Sequence, residues 1–333
     1  MTTQKDIANR LGVSASLVSR VLAGKASDIG ITEDTARRVQ EAAQALGYVP
    51  NAAAQILKGA SSLTIGVVVF DFEDPFFGAI IGNLQRLAHR EQLSLLLVGL
   101  ERKDVRSHEL DPLLRHRLDG LIVVGSEPVT SWVDSFRERG IPIVRIGTGP
   151  GEDPFCRVGV DNEAGLLAAL RHLHALGHRT VGALAAPIAP HRQRFKDFAR
   201  LAAGVGLRCD PIWIITAGTS VYDAGEATAT ALLNRGGPRP TALMTSSDLV
   251  AMGAMNALAG RGLHVPRDMS VIGFDDIPVA RLATPSLTTV RQPLEELTAQ
   301  AFALVNQPPP DPSKTIISLV PELVLRESTA TPT

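Results

Sequence analysis

Aromatic side chains are scarce in this 333-residue chain, at 4% of the total. Cysteine is scarcer still, with Cys156 and Cys209 alone. Two cysteines make neither a disulfide framework nor a cysteine metal cluster, and they point to a reducing, cytoplasmic setting. No run approaches the roughly 20 apolar residues of a membrane span. The N-terminus carries no apolar signal segment. Neither sign of charge dominates: the net charge is −1, so the whole molecule is not a basic polyelectrolyte. Catalytic signatures are missing too. The eight histidines show no HExxH and no metal-ligand spacing. There is no P-loop and no GxSxG elbow. His172, His174 and His178 surround a helix end at Leu176-Gly177, where they cap or hydrogen-bond without a metal. No enzyme activity, cofactor or metal is expected.

What is present begins at the head. Residues 4–23 read QKDIANRLGVSASLVSRVLA. Ile7, Ala8 and Leu11 share one helical face. Gly12 and Val13 redirect the chain, Ser14 caps a second helix, and Val18 and Val21 give that helix its own apolar face. A helix-turn-helix needs this arrangement: a small residue where the helices meet and a glycine in the turn. Ala15, Ser16, Ser19 and Arg20 then face outward, toward a major groove. Thr32 caps a third helix with Glu33 and Asp34 in its first turn. Ala36, Val39, Ala42, Ala43 and Leu46 pack it, and Gly47 ends it. Residues 1–60 carry seven Lys/Arg against five acids, a net of +2, so the remainder sums to −3. That asymmetry agrees with DNA contact at the head only. Residues 52–58, AAAQILK, can form about two helical turns, too few to be stable alone.

The set GVSxxxVSRVL, YVPNxxAxxL, DPFF, ALGHRTVG, SSDLVAMGAM, DMSVIGFDD and PSLTTVRQP resembles the lactose/galactose repressor (LacI/GalR) family over about residues 4–326. The resemblance implies a dimeric transcriptional regulator, read as a repressor, controlled by a small effector, often a sugar or sugar derivative. It implies a headpiece at 1–49 and a hinge helix and linker at 50–62 that folds on operator DNA. It gives DNA contacts to Thr3, Ser14, Ala15, Ser16, Ser19, Arg20, Asn51, Ala54, Leu57 and Lys58, with Leu57 wedged into the minor groove. Ala15 and Ser16 depart from relatives with longer side chains there, so operator preference does not transfer. Ala15 offers an apolar contact and Ser16 one short hydrogen bond. The loop at 24–31 is longer than expected for the family.

From residue 63 the chain alternates strand-like and helix-like runs. Strands are expected at 63–70, 93–100, 120–125, 141–146, 158–160, 180–185, 213–216, 242–245 and 270–274. Helices are expected at 76–90, 162–176 and 248–261. Near-continuous apolar strands alternating with helices predict an α/β fold of two doubly wound parallel lobes. The resemblance adds a periplasmic-binding-protein-like body at 63–333, with crossovers near 160–162, 289–292 and 319–322. Its first lobe takes about 63–161 and 291–319, including a helix at 293–307. Its second takes about 162–290 and 320–328.

Ligands in such sheets sit beyond the carboxyl ends of the strands. Phe70, Phe72, Phe76 and Phe77 fall together after the first body strand. Aromatic faces stack on sugar C–H faces, and Asp71, Glu73 or Asp74 can accept hydroxyl hydrogens. Phe77 is assigned to lobe packing; Phe70, Phe72 and Phe76 are assigned to the cleft. Arg192 and Arg194 can grip hydroxyls or a carboxylate. By family position Arg194 is the effector arginine, Ser247 a shortened polar contact and Asp275 the carboxylate for vicinal hydroxyls. Asp276 is read as structural. The residue types suit a sugar, a sugar acid or a nucleoside, and leave open whether it releases or promotes DNA binding. Two other classes fit the chain less well. A transporter's solute-binding protein shares the body but needs a signal peptide and lacks a headpiece. A glycosidase needs two acids facing one bond, whereas adjacent residues at a strand end point apart.

Overall fold

The computed structural model describes residues 2–22, 26, 30–48, 61–100, 110–125, 133–147 and 154–333. The chain divides into two units, Met1–Ser62 and Leu63–Thr333. Most of the 24–31 loop and the hinge positions Asn51, Ala54, Leu57 and Lys58 lie outside the described residues.

In the first unit, helix α1 spans Gln4–Leu11. Thr3 starts it with a capping box: the Asp6 amide donates to the Thr3 hydroxyl, and the Thr3 amide donates to the Asp6 carboxylate at 2.8 Å. Gly12 ends it at φ +67°, a conformation that a Cβ would strain. Helix α2 (Ala15–Leu22) opens on Ser14, whose Oγ accepts from the Leu17 amide at 3.1 Å. Helix α3 (Glu33–Ala45) opens on Thr32, and Gly47 follows its end at φ +61°. Ile7, Ala8, Val18, Val21, Val39, Ala42 and Ala43 form the core. These are positions that the apolar periodicity predicts. Each is small or β-branched, so three short helices can close tightly, and Leu11, Leu46 and Tyr48 pack against the core at its margin.

The second unit holds two six-stranded sheets. In chain order the strands are β1 (Thr64–Val69), β2 (Ser94–Gly99), β3 (Gly120–Val124), β4 (Ile143–Ile146), β5 (Cys156–Val160) and β6 (Val181–Ala185). Then follow β7 (Ile214–Thr216), β8 (Ala242–Thr245), β9 (Ser270–Asp275), β10 (Thr288–Arg291), β11 (Ile316–Leu319) and β12 (Glu322–Val324). The first sheet runs β11-β5-β4-β3-β1-β2 and the second β12-β10-β9-β8-β6-β7. Neighbours pair in parallel except β12, which is antiparallel to β10.

Burial on both faces explains the apolar strands. Along β1, Ile65, Val67 and Val69 pack toward helices Pro75–Arg90 and Leu294–Asn306, while Val68 and the following Phe70 pack on the other face. In the second lobe, helices Val221–Leu233 and Asp248–Gly260 cover one face; Asn162–Ala175 and Phe198–Gly204 cover the other. The first pair meets at glycine. A Cβ on Gly225 would lie 2.4 Å from the Val250 carbonyl and 2.7 Å from Gly253 Cα.

One sequence expectation needs correction. The resemblance puts crossovers near 289–292 and 319–322, and the strands expected from the sequence end at 270–274. Instead β10, β11 and β12 are strands too: β10 is interior, between β12 and β9, and β11 and β12 are the edge strands of their sheets. Their three or four residues mix Thr, Arg, Ser and Glu with apolar ones, and their partners come from distant sequence. Neither run length nor alternation marks them. The chain passes between lobes after β5, after β10 and between β11 and β12. Helix Leu294–Asn306 packs on Pro75–Arg90 and on β3, β4 and β5.

Candidate functional site

Two sites emerge, one in each unit. On the head, α2 buries Val18 and Val21 and leaves Ser14, Ser16 and Arg20 exposed, with Ala15 and Ser19 half-buried. This is the polarity a recognition helix needs: its apolar face is held by α1 and α3, and its polar side, turned away from that core, is the side such a helix presents to base edges and phosphates. Thr3 is exposed at the start of α1, where its side chain caps the helix.

The second site is a cavity between the carboxyl ends of the two sheets, where ligands of such folds sit. Asp74, Phe76 and Phe77 come from the segment after β1; Gly125 and Gly147 from the ends of β3 and β4; Asn162, His191, Arg194, Asp275 and Gln292 complete the wall. Asp74 is placed by its local role. It caps helix Pro75–Arg90, its Oδ1 accepting from the Phe76 amide at 2.9 Å. Phe76 and Phe77 meet edge to face, with ring centroids 5.4 Å apart.

Arg194 ends the short helix Ala189–Arg194. Its guanidinium lies over the Phe274 ring at 3.8 Å. Nε donates to Asn162 Oδ1 at 3.2 Å, and Nη1 donates to the Ser246 carbonyl. Burial presses the guanidinium down from its ordinary range, while Asp275 and Asp248 oppose that shift. An arginine so placed stays a cation aimed by its partners. His191 is buried beside it, its Nδ1 2.8 Å from Ser246 Oγ.

Asp275 sits at the end of β9 with φ +118°, and Asp276 follows at φ +60°. A non-glycine residue in this region costs on the order of 1–3 kcal/mol, and persists where its surroundings fix it. Here they do. Gln292 Nε2 donates to Asp275 Oδ1 at 2.6 Å. Asp276 turns the other way, to Arg291 and Arg326, both at 2.6 Å. Burial pushes the Asp275 carboxyl up to about 7, Arg194 and Gln292 pull it down, and Asp74 across the cavity adds to the rise. Behind it, buried Asp248 accepts from Thr289 Oγ1 at 2.5 Å and from the Ile277 amide at 2.8 Å.

The structure therefore brings Asp74, Phe76, Arg194 and Asp275 together and leaves four expected residues elsewhere. Phe70 is 7% exposed, on the sheet face opposite Val69, because side chains alternate along β1. Phe72 is 52% exposed, its ring against Gly99 at the end of β2. Arg192 points to solvent, two residues before Arg194 on a helix and so on another face. Ser247 is buried as the cap of helix Asp248–Gly260, accepting from the Val250 amide. Phe77 packs the lobe as expected and also reaches the wall. Asn162, His191 and Gln292 were missed. Asn162 and Gln292 stand at two passages between the lobes, and that position was their one available signal.

A helix-turn-helix head joined to a two-lobed body with a polar cavity defines a ligand-binding, DNA-binding regulator. Residues 3–51 match the bacterial regulatory proteins of the lacI family, and 170–329 match a periplasmic binding protein-like domain. The chain is 36% identical to the HTH-type transcriptional regulator GalS of Salmonella typhimurium over 92% of this chain and 90% of that protein. It is 33% identical to the HTH-type transcriptional repressor PurR of Actinobacillus pleuropneumoniae serotype 3 over 98% of each. Its fold matches the lac repressor dimer bound to operator and the anti-inducer ONPF, with a TM-score of 0.85, 27% identity and 99% coverage of each chain. It also matches a CelR–cellobiose complex, with a TM-score of 0.71, 26% identity and coverage of 98% and 100%. The chain belongs to the LacI/GalR family of transcriptional regulators. No helix among the described residues is long and apolar enough to cross a membrane.

Proposed function

We propose that this regulator is a cytoplasmic repressor that binds a pseudo-palindromic operator as a homodimer, and that a sugar or sugar acid seated between its lobes sets its DNA affinity. The observation that carries the reading is the cavity shared by both lobes, with Asp74 and Phe76 on one side and Arg194 and Asp275 on the other. Phe76 offers a face for sugar C–H groups. Asp74 and Asp275 accept hydroxyl hydrogens, and Arg194 donates. Asp275 and Asp276 face different partners, so this pair offers no acid and base across one bond. A ligand touching both lobes binds one closure angle more tightly than another. That difference in affinity is what shifts the DNA-binding equilibrium. The CelR–cellobiose complex and an Enterococcus faecalis LacI-family regulator with bound ribose support a sugar; the operator-bound lac repressor dimer supports the assembly. On the head, Ser14, Ala15, Ser16, Ser19 and Arg20 read or position the groove, with Thr3 at its edge. Asn51, Ala54, Leu57 and Lys58 form the hinge contact.

Operator affinity measured with and without a panel of sugars and sugar acids, in the parent and in Arg194→Ala and Asp275→Ala, tests this. Each variant should keep ligand-free operator binding and lose about ten- to a hundredfold in effector affinity, the worth of one charged hydrogen bond. Full effector response in both variants places the ligand elsewhere. Loss of ligand-free operator binding in both makes the residues structural. Footprinting should show two half-sites related by a two-fold; one asymmetric half-site refutes the dimer.

A further inference from the structure

The passages between lobes and the open lip of the cleft lie at opposite edges of both sheets. The passages leave β5, β10 and β11, the first or second strands counted from one edge of their sheets, and β12 sits at that edge as well. β1 and β7 lie toward the other edge. Asp71 follows β1, and Tyr222 stands in the first turn of the helix after β7. Across this lip the Tyr222 hydroxyl donates to both carboxylate oxygens of Asp71, at 3.3 Å each.

We propose that Tyr222 and Asp71 form a clasp that sets how far the two lobes stand closed when no effector is bound. Its consequence for transcription rests on the reading that the effector acts between the lobes. Both partners are held in place. The Glu73 and Asp74 amides donate to Asp71 at 2.9 and 3.3 Å. Tyr222 is fixed by the capping box of its helix, where Asp223 accepts from the Ser220 amide at 2.7 Å and the Tyr222 amide donates to Ser220 Oγ at 3.2 Å. Burial, then the charges of Asp71 and Asp74, raise the phenol above its ordinary range, so the hydroxyl keeps its proton and remains a donor. A rotation about the passages moves the lip farther than the cavity floor, so a lip contact has the longest lever on closure. The clasp also works against a repulsion. Asp74 faces Asp275 across the cavity, two carboxylates that closure brings together.

The test reads closure without ligand. Spin labels at Glu91→Cys and Glu226→Cys, both exposed and one on each lobe, report the inter-lobe distance in full-length protein with Cys209→Ser, diluted with unlabelled chains. Tyr222→Phe keeps the ring and removes only the donor. It should lower the ratio of short to long distances about two- to tenfold, the effect of one net hydrogen bond. Asp71→Ala should do the same, and the double variant should go no further. An unchanged distribution in Tyr222→Phe overturns the clasp, as do additive effects of the two substitutions. Effector response in Arg194→Ala reports on the cavity alone, so either reading can fail without the other.

Discussion

The raised pKa of Asp275 makes stability a readout of the cavity. Its carboxyl has an ordinary value of 3.8 and is pushed up to about 7 by burial, with Asp74 adding to the rise. A carboxyl whose folded value lies above its unfolded one favours folding fully below the unfolded value, and loses that contribution as pH rises through the folded one. Between pH 6.5 and 8.5 the loss integrates to about 1 kcal/mol. For a body of this size that lowers Tm by about 2–4 °C. The window is chosen for its neighbours. His172 and His178 are pressed below the ordinary imidazole value by burial, so protonation of these rings opposes folding as pH falls toward and below about 6.5, in the parent and in an Asp275 variant alike. Asp268, held at about 2 by Arg267 and the His264 amide, is ionised throughout. Asp248 is raised by burial and by Asp275, so the pair titrates jointly. Asp275→Asn removes one acid of the pair and, with it, the repulsion that adds to the burial of Asp248. Scanning calorimetry at half-unit steps from pH 6.5 to 8.5 should show the parent's Tm falling relative to that of Asp275→Asn as pH rises. Parallel curves refute the reasoning, because they mean that Asp275 ionises freely in the folded body. An effector whose hydroxyls donate to Asp275 should bind more tightly as pH rises through 7, as the carboxylate gives up its proton.

Leu57→Ala should weaken specific operator binding sharply while the body's Tm stays within about 1 °C; a large drop in Tm with intact DNA affinity reassigns Leu57 to a core. Gly225→Ala places a methyl within 2.4 Å of the Val250 carbonyl, backbone that cannot rotate away, and should cost about 1–3 kcal/mol by denaturant unfolding. Gly12→Ala strains a residue at φ +67°, and should lower headpiece stability by about 1 kcal/mol without moving the body's transition.

The sequence by itself determined the parts that rest on local periodicity. Ile7, Ala8, Val18, Val21 and Val39 recur at helical spacing around Gly12, and three helices with a shared apolar face have few other ways to hide it. The buried parallel strands follow from runs such as TIGVVV and GLIVV, too apolar for any exposed face. Asp74 was legible because capping a helix and standing at a strand's carboxyl end are both local facts. Tertiary structure decided the rest. The phenylalanines at 70, 72, 76 and 77 look alike in sequence, yet alternation along β1, a turn and a helix start send them to a core, to solvent and to the cavity. Ser247 reads as polar and placed at the site, but an unpaired amide at the start of helix Asp248–Gly260 claims its hydroxyl. Asn162 and Gln292 carry no local pattern. They face the ligand space only because two passages of chain, one after β5 and one after β10, fold side by side although more than a hundred residues separate them. The Tyr222–Asp71 contact spans 151 positions, and no spacing rule reaches that far. Local chemistry chooses helices, strands and caps. Which side chains share a cavity depends on sheet order, and sheet order comes from packing the whole chain.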